Sequence, residues 1–185
     1  MTGNSEEAVM REFVEMLKSA WQRTGAVSPY DPKYSTLYMA CTSGDVDTIR
    51  RELENGFNID DRTLFSGGNT LLTTALLANQ EHLALWLLER GANPELALIN
   101  GRTPLITAAG SGCLRVVEAL LARGVAIDRQ MQNGSTALMY AVGKGQLAVA
   151  RLLIARGASL TLADNDGWTV RDFAARFGVK MASLF

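Results

Sequence analysis

The chain has 185 residues, 48% apolar and 20% charged, with 18 Lys and Arg against 19 Asp and Glu. The formal net charge of -1 gives no general attraction to a phosphate backbone, so nucleic acid is not an expected partner. The sequence has no apolar run of about 18 residues, no secretory signal pattern and no cysteine spacing typical of zinc or disulfides, so we expect a cytoplasmic protein without metal, cofactor or membrane contact.

The first predicted element is an amphipathic helix close to the N-terminus. Asn4 and Glu7 have the spacing of a helix-capping pair, and Gly25 follows as a stop signal. Apolar residues recur between them at helical spacing: Val9, Phe13, Met16, Leu17, Ala20 and Trp21. Residues 1–33 are therefore predicted to form a helix and a linker, which act either as a lid over the next segment or as a partner-binding element.

Residues 34–185 consist of similar units, each opening at a Ser or Thr. The opening residues, spaced by 35, 33, 33 and 33 positions, are Ser35, Thr70, Thr103, Thr136 and Thr169. An alanine five residues after each opening suggests close helix packing: Ala40, Ala75, Ala108, Ala141 and Ala174. Nine residues after it stand candidate helix ends, since Gly and Asn tolerate the left-handed conformation: Gly44, Asn79, Gly112, Gly145 and Gly178. This fixed period predicts a repeat protein.

The apolar residues of each unit predict two helices. In the third unit they fall on one face of each helix: Leu105, Ala108 and Ala109, then Val116, Val117, Leu120 and Leu121. One helix pair cannot bury its apolar stripe alone, so neighbouring units are expected to stack. The first and fifth units carry polar residues at core positions, as the ends of a stack require: Thr48, Glu52, Arg171 and Asp172.

Two segments resemble the motifs of the ankyrin-repeat family. Residues 101–109 read GRTPLITAA, similar to G-x-T-P-L-H-x-A-A with Ile106 in place of the histidine, and residues 152–158 read LLIARGA, similar to L-L-L-x-x-G-A. The resemblance covers residues 35–185, as four full units and a shortened fifth. It implies an all-α ankyrin solenoid of stacked helix-turn-helix pairs with β-hairpin fingers, preceded here by the N-terminal helix. It also implies a concave face that binds other proteins.

The sequence offers little for catalysis, so we predict that the protein is not an enzyme. His82, the only histidine, falls on the second helix of its unit and is expected to face solvent. Cys41 is expected to be packed and Cys113 to be partly exposed, with neither placed to form a nucleophilic pair with His82. Residues 164–167 are similar to half of a calcium loop, but Ala175 stands where such a loop carries its glutamate, so these residues are predicted to form a hairpin turn.

In the ankyrin arrangement, the finger tips and the ends of the first helices would form one concave strip. Leu98 and Met131 stand where family members usually carry Asp, and two extra residues in the first finger are expected to make Leu64 and Phe65 project. The candidate partner-binding residues are Leu64, Phe65, Leu98, Ile99, Arg102, Met131, Gln132, Trp168, Lys144 and Phe177. Exposed apolar patches with aromatic anchors are typical of binding sites. The alternative is that some of them fold down between the fingers: Leu98, Ile99, Trp168 and Phe65.

The predicted function is therefore protein–protein interaction. We expect a free monomer that binds another protein through its fingers and concave groove, as an adaptor or as a stoichiometric inhibitor. Two alternatives remain open at this stage. One, by analogy with small solitary ankyrin proteins, is an immunity-type protein that neutralises a cognate toxin or enzyme; the other is a structural assembler that self-associates.

Overall fold

The computed structural model describes residues 32–62, 66–179 and 184. The predicted helix between Asn4 and Trp21 lies outside the described residues, as do Leu64 and Phe65. Across the described residues, no helix combines the length and the apolar character needed to cross a bilayer.

Helices dominate the described part of the chain. In chain order they are α1 Pro32–Ser43, α2 Val46–Glu54, α3 Leu71–Leu77, α4 Glu81–Glu89, α5 Pro104–Ser111, α6 Leu114–Ala122, α7 Ala137–Gly143, α8 Leu147–Ala155 and α9 Val170–Arg176. A short 3-10 helix, Ser66–Gly68, precedes α3. The odd-numbered helices, which we call the inner helices, open the units, and the even-numbered outer helices follow them.

The helices stack in the order of the repeats. The inner helices α1, α3, α5 and α7 each pack against the outer helix of their own unit and against the inner helix of the next unit. The outer helices α4, α6 and α8 also pack in sequence. This arrangement confirms the predicted all-α repeat solenoid, in which each unit covers the apolar face of its neighbour.

The recurring threonines are the N-caps of the inner helices. The hydroxyl oxygens of Thr70, Thr103 and Thr136 each accept a hydrogen bond from the backbone N–H three residues later, at 3.2 to 3.3 Å. These bonds satisfy an amide that the first turn of a helix leaves without a partner. Ser35 differs, because α1 begins at Pro32 and Ser35 therefore lies inside that helix.

The predicted helix ends are confirmed at the position nine residues after each opening. Gly112 follows α5 with a φ of 77°, and Asn79 follows α3 with a φ of 58°. Asn79 is the one non-glycine residue with positive φ in the part of the chain described here. Its side-chain oxygen also accepts a hydrogen bond from the thiol of Cys113 at 3.3 Å. Asparagine therefore replaces glycine here and adds a link between two units.

The repeated alanines are all buried in the core, as the close approach of the inner helices requires. Arg171 and Asp172 of the last unit are exposed, while Leu184 is buried. Cys41 is also buried as predicted, but the expectation of partial exposure for Cys113 is wrong, since only 4% of it is accessible. The reason is its bond to Asn79, which turns the thiol toward the preceding unit.

The fingers are tight turns held by backbone hydrogen bonds. In the fourth unit, the Met131 N–H donates to the Ser135 carbonyl at 3.0 Å, and the Gly134 N–H donates to the Met131 carbonyl at 2.9 Å. The fingers that precede Thr103 and Thr169 repeat both bonds. Within the described ranges no regular strand forms, and one isolated antiparallel bridge joins Ala163 to Thr169.

Successive fingers are also bonded to one another. The N–H groups of Ile99, Gln132 and Asn165 each donate to a carbonyl of the preceding finger, at 3.0 Å in every case. Side-chain amides add a parallel set of bonds: that of Gln132 donates to the Ile99 carbonyl at 2.9 Å, and that of Asn165 to the Gln132 carbonyl at 2.8 Å. The fingers therefore form one connected row in front of the inner helices.

Candidate protein-binding surface

A groove of about 430 Å³ lies where the fingers meet the inner helices of the third to fifth units. Its walls include three of the residues predicted from sequence, Arg102, Lys144 and Phe177. They also include Tyr140 and Phe173, which were not among the candidates. The volume falls within the range of about 300–1,000 Å³ that is usual for ligand sites.

A row of aromatic rings forms one end of the groove. Phe173 and Phe177 stack with their ring centres 6.2 Å apart, and Trp168 meets Phe173 edge to face at 5.9 Å. Gly143 of α7 lies against this row, since a Cβ atom there would stand 3.4 Å from Phe173 and 3.6 Å from Phe177. Phe177 nevertheless remains 52% exposed, so the row presents an apolar face to solvent.

Arg102 and Tyr140 form the opposite wall. The guanidinium of Arg102 lies over the Tyr140 ring, with Cζ 5.0 Å from the ring centre, and its buried Nε makes no hydrogen bond. The ring is close to the backbone of α5, because a Cβ on Gly110 would lie 3.2 Å from Tyr140 Cδ1. Lys144 is exposed between the two walls. The groove thus brings two cations and an aromatic platform together.

The finger residues predicted from sequence differ in exposure. Ile99 is 70% exposed and Gln132 is also exposed, so both are accessible at the finger tips. Leu98 and Trp168 are half-buried. For Trp168 the cause is its edge contact with Phe173 together with Arg176, whose guanidinium carbon lies 4.8 Å from the centre of the indole.

Met131 does not project from its finger as expected. It is only 9% exposed and belongs to the core. The preceding finger lies directly against it: a Cβ on Gly101 would stand 3.3 Å from the Met131 Cα and 3.2 Å from the Gln132 nitrogen. Packing between fingers therefore turns this side chain inward, which leaves Ile99 as the exposed apolar tip among the described finger residues.

The groups considered for catalysis lie apart from the groove. His82 is exposed on α4, as predicted. Burial raises the pKa of the Cys41 thiol to about 12, and burial together with the charge of Glu81 also raises the pKa of Cys113. Both thiols are therefore protonated at neutral pH. Among the described residues, no three side chains that could ligate a metal are gathered in one place.

A second concavity, of about 440 Å³, lies against the outer helices of the first two units. Trp86 of α4 stands there between two guanidinium groups, with Arg50 Cζ at 5.8 Å and Arg90 Cζ at 4.8 Å from its ring centre. This cluster was not predicted from the sequence, because Arg50 belongs to the first unit and stands 36 positions before Trp86. Arg50 also pairs with Asp47 at 2.6 Å.

The stacked helix pairs, the row of fingers and the concave groove define a solenoid repeat protein. Residues 37–88 and 92–164 match families described as ankyrin repeats, in many copies and in three copies respectively. The chain therefore belongs to the ankyrin-repeat family, whose repeats generally mediate protein–protein interaction.

One relative among the curated proteins is the human 2-5A-dependent ribonuclease. It is 36% identical over 80 residues, which are 43% of this chain and 11% of that protein. The chain thus matches only a small part of that much longer relative.

Proposed function

We propose that this protein is a non-catalytic module that binds another protein in the groove between its fingers and inner helices. It acts by occupying its partner's surface, either as an adaptor or as a stoichiometric inhibitor. The observation that carries the proposal is the groove itself, which combines a volume of about 430 Å³ with the exposed face of Phe177. Ankyrin repeats typically act through binding rather than catalysis, in agreement with this role.

The composition of the groove favours a macromolecular partner. Aromatic and arginine side chains are the residues on which binding free energy most often depends at protein interfaces. Here Phe177 and Arg102 stand in one concavity, and each rests on another aromatic ring, Phe173 or Tyr140. A side chain fixed in this way loses little conformational entropy when a partner covers it.

Continuity along the fingers extends the proposed surface. The bonds between successive fingers hold Ile99 and Gln132 in fixed positions beside the groove. A partner seated in the groove would therefore meet a preformed rim rather than separate flexible loops. Preformed interfaces of this kind usually change little on binding.

Site-specific photocrosslinking in a native extract tests the proposal. A photoreactive phenylalanine analogue replaces Phe177 in one variant and Glu118, an exposed residue of the outer helix α6, in a control. We expect a discrete crosslinked protein from position 177 and none from position 118. Equal crosslinking from both positions, or none from position 177, contradicts the proposal. Loss of the partner's own activity in a 1:1 complex would identify an inhibitor, and retained activity an adaptor.

A further inference from the structure

We infer that the groove recognises an acidic peptide segment of its partner, in which an Asp or Glu stands close to an aromatic or large aliphatic residue. The inference rests on the proposed function and specifies the chemistry of the partner. Three features of the groove carry it. It holds two cations that form no ion pair with any described residue, an aromatic ring fixes the position of one of these cations, and an exposed aromatic face lies beside them.

The first feature is the unpaired positive charge. Within the described part of the chain, Arg102 and Lys144 form no ion pair, and their side chains donate no hydrogen bond. Asp164, the carboxylate in the groove wall, keeps its charge but forms no ion pair with either cation, and its Oδ1 accepts bonds from the N–H groups of Asp166 at 3.1 Å and Trp168 at 2.8 Å. The groove therefore offers two cations to a carboxylate from outside.

The second feature is the fixed position of Arg102. Its guanidinium lies 5.0 Å from the centre of the Tyr140 ring, which restricts the side chain before any partner arrives. A guanidinium can donate two parallel hydrogen bonds to one carboxylate, and no described residue accepts a bond from the buried Nε of Arg102. An incoming carboxylate would bind the terminal nitrogens of this guanidinium.

The third feature is the apolar face beside the cations. Phe177 is 52% exposed and stacks on Phe173, while Gly143 places no side chain between them and the groove. Lys144 adjoins Gly143 in the chain, so charge and apolar surface are next to each other. A peptide that carries both kinds of side chain complements both parts of the groove at once.

The charges at the rim favour an isolated carboxylate over a polyanion. Asp164 and the exposed Asp166 stand in the finger that precedes Thr169, and the whole chain carries a formal net charge of -1. A nucleic acid, with a negative charge at every phosphate, would be repelled by this finger. A peptide can place one carboxylate between Arg102 and Lys144 and keep the rest of its length neutral.

Peptide display on the full chain tests the inference. A library of random peptides is selected on the wild-type protein, and the enriched sequences are synthesised for affinity measurements. The test variant is the double substitution Arg102→Gln and Lys144→Gln. The matched control is Arg115→Gln combined with Arg156→Gln, which also removes two positive charges but from exposed positions outside the groove lining. A further variant, Gly143→Leu, fills the groove without changing its charge.

We expect enriched peptides in which Asp or Glu accompanies Phe, Tyr, Trp, Leu or Ile. Their affinity should fall by about tenfold or more in the double variant and stay unchanged in the control. Enriched peptides without acidic residues, no enriched peptides at all, or equal affinity for the wild type and the double variant would overturn the inference. If the double variant binds peptides like the wild type but Gly143→Leu does not bind them, the inference is overturned and the proposed function stands. If neither the double variant nor Gly143→Leu changes peptide binding, the inference and the proposed function are both overturned. Stronger capture of a single-stranded oligonucleotide than of any peptide would point instead to a polyanion site.

Discussion

Replacing Leu120 by alanine perturbs the centre of the stack. Leu120 lies in the outer helix α6, is fully buried, and belongs to the continuous core. Helix α6 packs against the inner helix of its own unit and against the outer helices on both sides. The substitution therefore opens a cavity in the middle of the stack, where no terminal unit can rearrange to fill it.

The expected loss of stability follows from this burial. Leu→Ala changes at fully buried sites lower the free energy of unfolding by about 2–5 kcal/mol, the sum of lost transfer free energy and a cavity term. For a loss of about 3 kcal/mol in a chain of this size, the Tm should fall by roughly 6–12 °C. Glu118→Ala in the same helix removes an exposed side chain and should change the free energy of unfolding by at most about 0.5 kcal/mol.

Urea unfolding followed by far-UV circular dichroism measures both variants. We expect a lower midpoint for Leu120→Ala at an unchanged slope, because the same surface is exposed on unfolding. A Leu120→Ala protein that matches Glu118→Ala within about 0.5 kcal/mol would refute the continuous core on which the stacking argument depends.

Substitutions at three further sites test a helix end, a helix N-terminus and the first finger separately. Asn79→Ala should lower the free energy of unfolding in urea by about 1–2 kcal/mol, because the φ of 58° suits Asn or Gly; Asn79→Gly should lower it less. Hydrogen bonds from Thr169 lower the pKa of the Asp172 carboxyl. The ionised carboxylate therefore stabilises the fold when the pH is above the usual carboxyl pKa, and this stabilisation is lost as the pH falls. Thermal melts of the wild type and Asp172→Asn should converge in acid. Leu64→Ser combined with Phe65→Ser should weaken partner capture in a pull-down and leave the melt nearly unchanged.

Each of these expectations has a contradicting result. Equal stability of the alanine and glycine variants at position 79 would remove the conformational explanation. A difference between wild type and Asp172→Asn that stays constant from neutral to acidic pH would show that the carboxylate is not stabilised in the fold. Unaltered capture by the variant at positions 64 and 65 would exclude the first finger from the binding surface.

The fold could be predicted because its signals are local and repeated. Thr70, Thr103 and Thr136 each accept a bond from an amide three residues away. The glycines and Asn79 end helices through their own positive φ. The alanines recur at a fixed position of every unit, so their burial followed from the period. Ser35 is the exception, since its helix begins earlier, at Pro32.

The lining of the groove could be predicted only in part. Arg102, Lys144 and Phe177 were found from their position in the repeat, and the structure brings them into one groove. Tyr140 and Phe173 were missed because their positions in the repeat indicated helix faces rather than a groove wall. Their role depends on Gly110 and Gly143 in the preceding inner helices, whose small size leaves room for the rings.

The direction of the finger side chains could not be predicted from the sequence either. Met131 and Ile99 both lie at finger tips, yet one is 9% and the other 70% exposed. The difference arises from contacts between fingers about 33 residues apart, such as the close approach of Gly101 to Met131. A single sequence indicates the turn but not how one turn packs on the next.

Partner affinity for two aromatic variants tests the central claim most directly. Phe177→Ser removes a 52% exposed ring from the groove, and Tyr38→Ser removes a 50% exposed ring from α1, outside the groove lining. With the partner identified by crosslinking, titration calorimetry should show a loss of affinity of about tenfold or more for Phe177→Ser and little change for Tyr38→Ser. Wild-type affinity for Phe177→Ser would contradict binding through the groove.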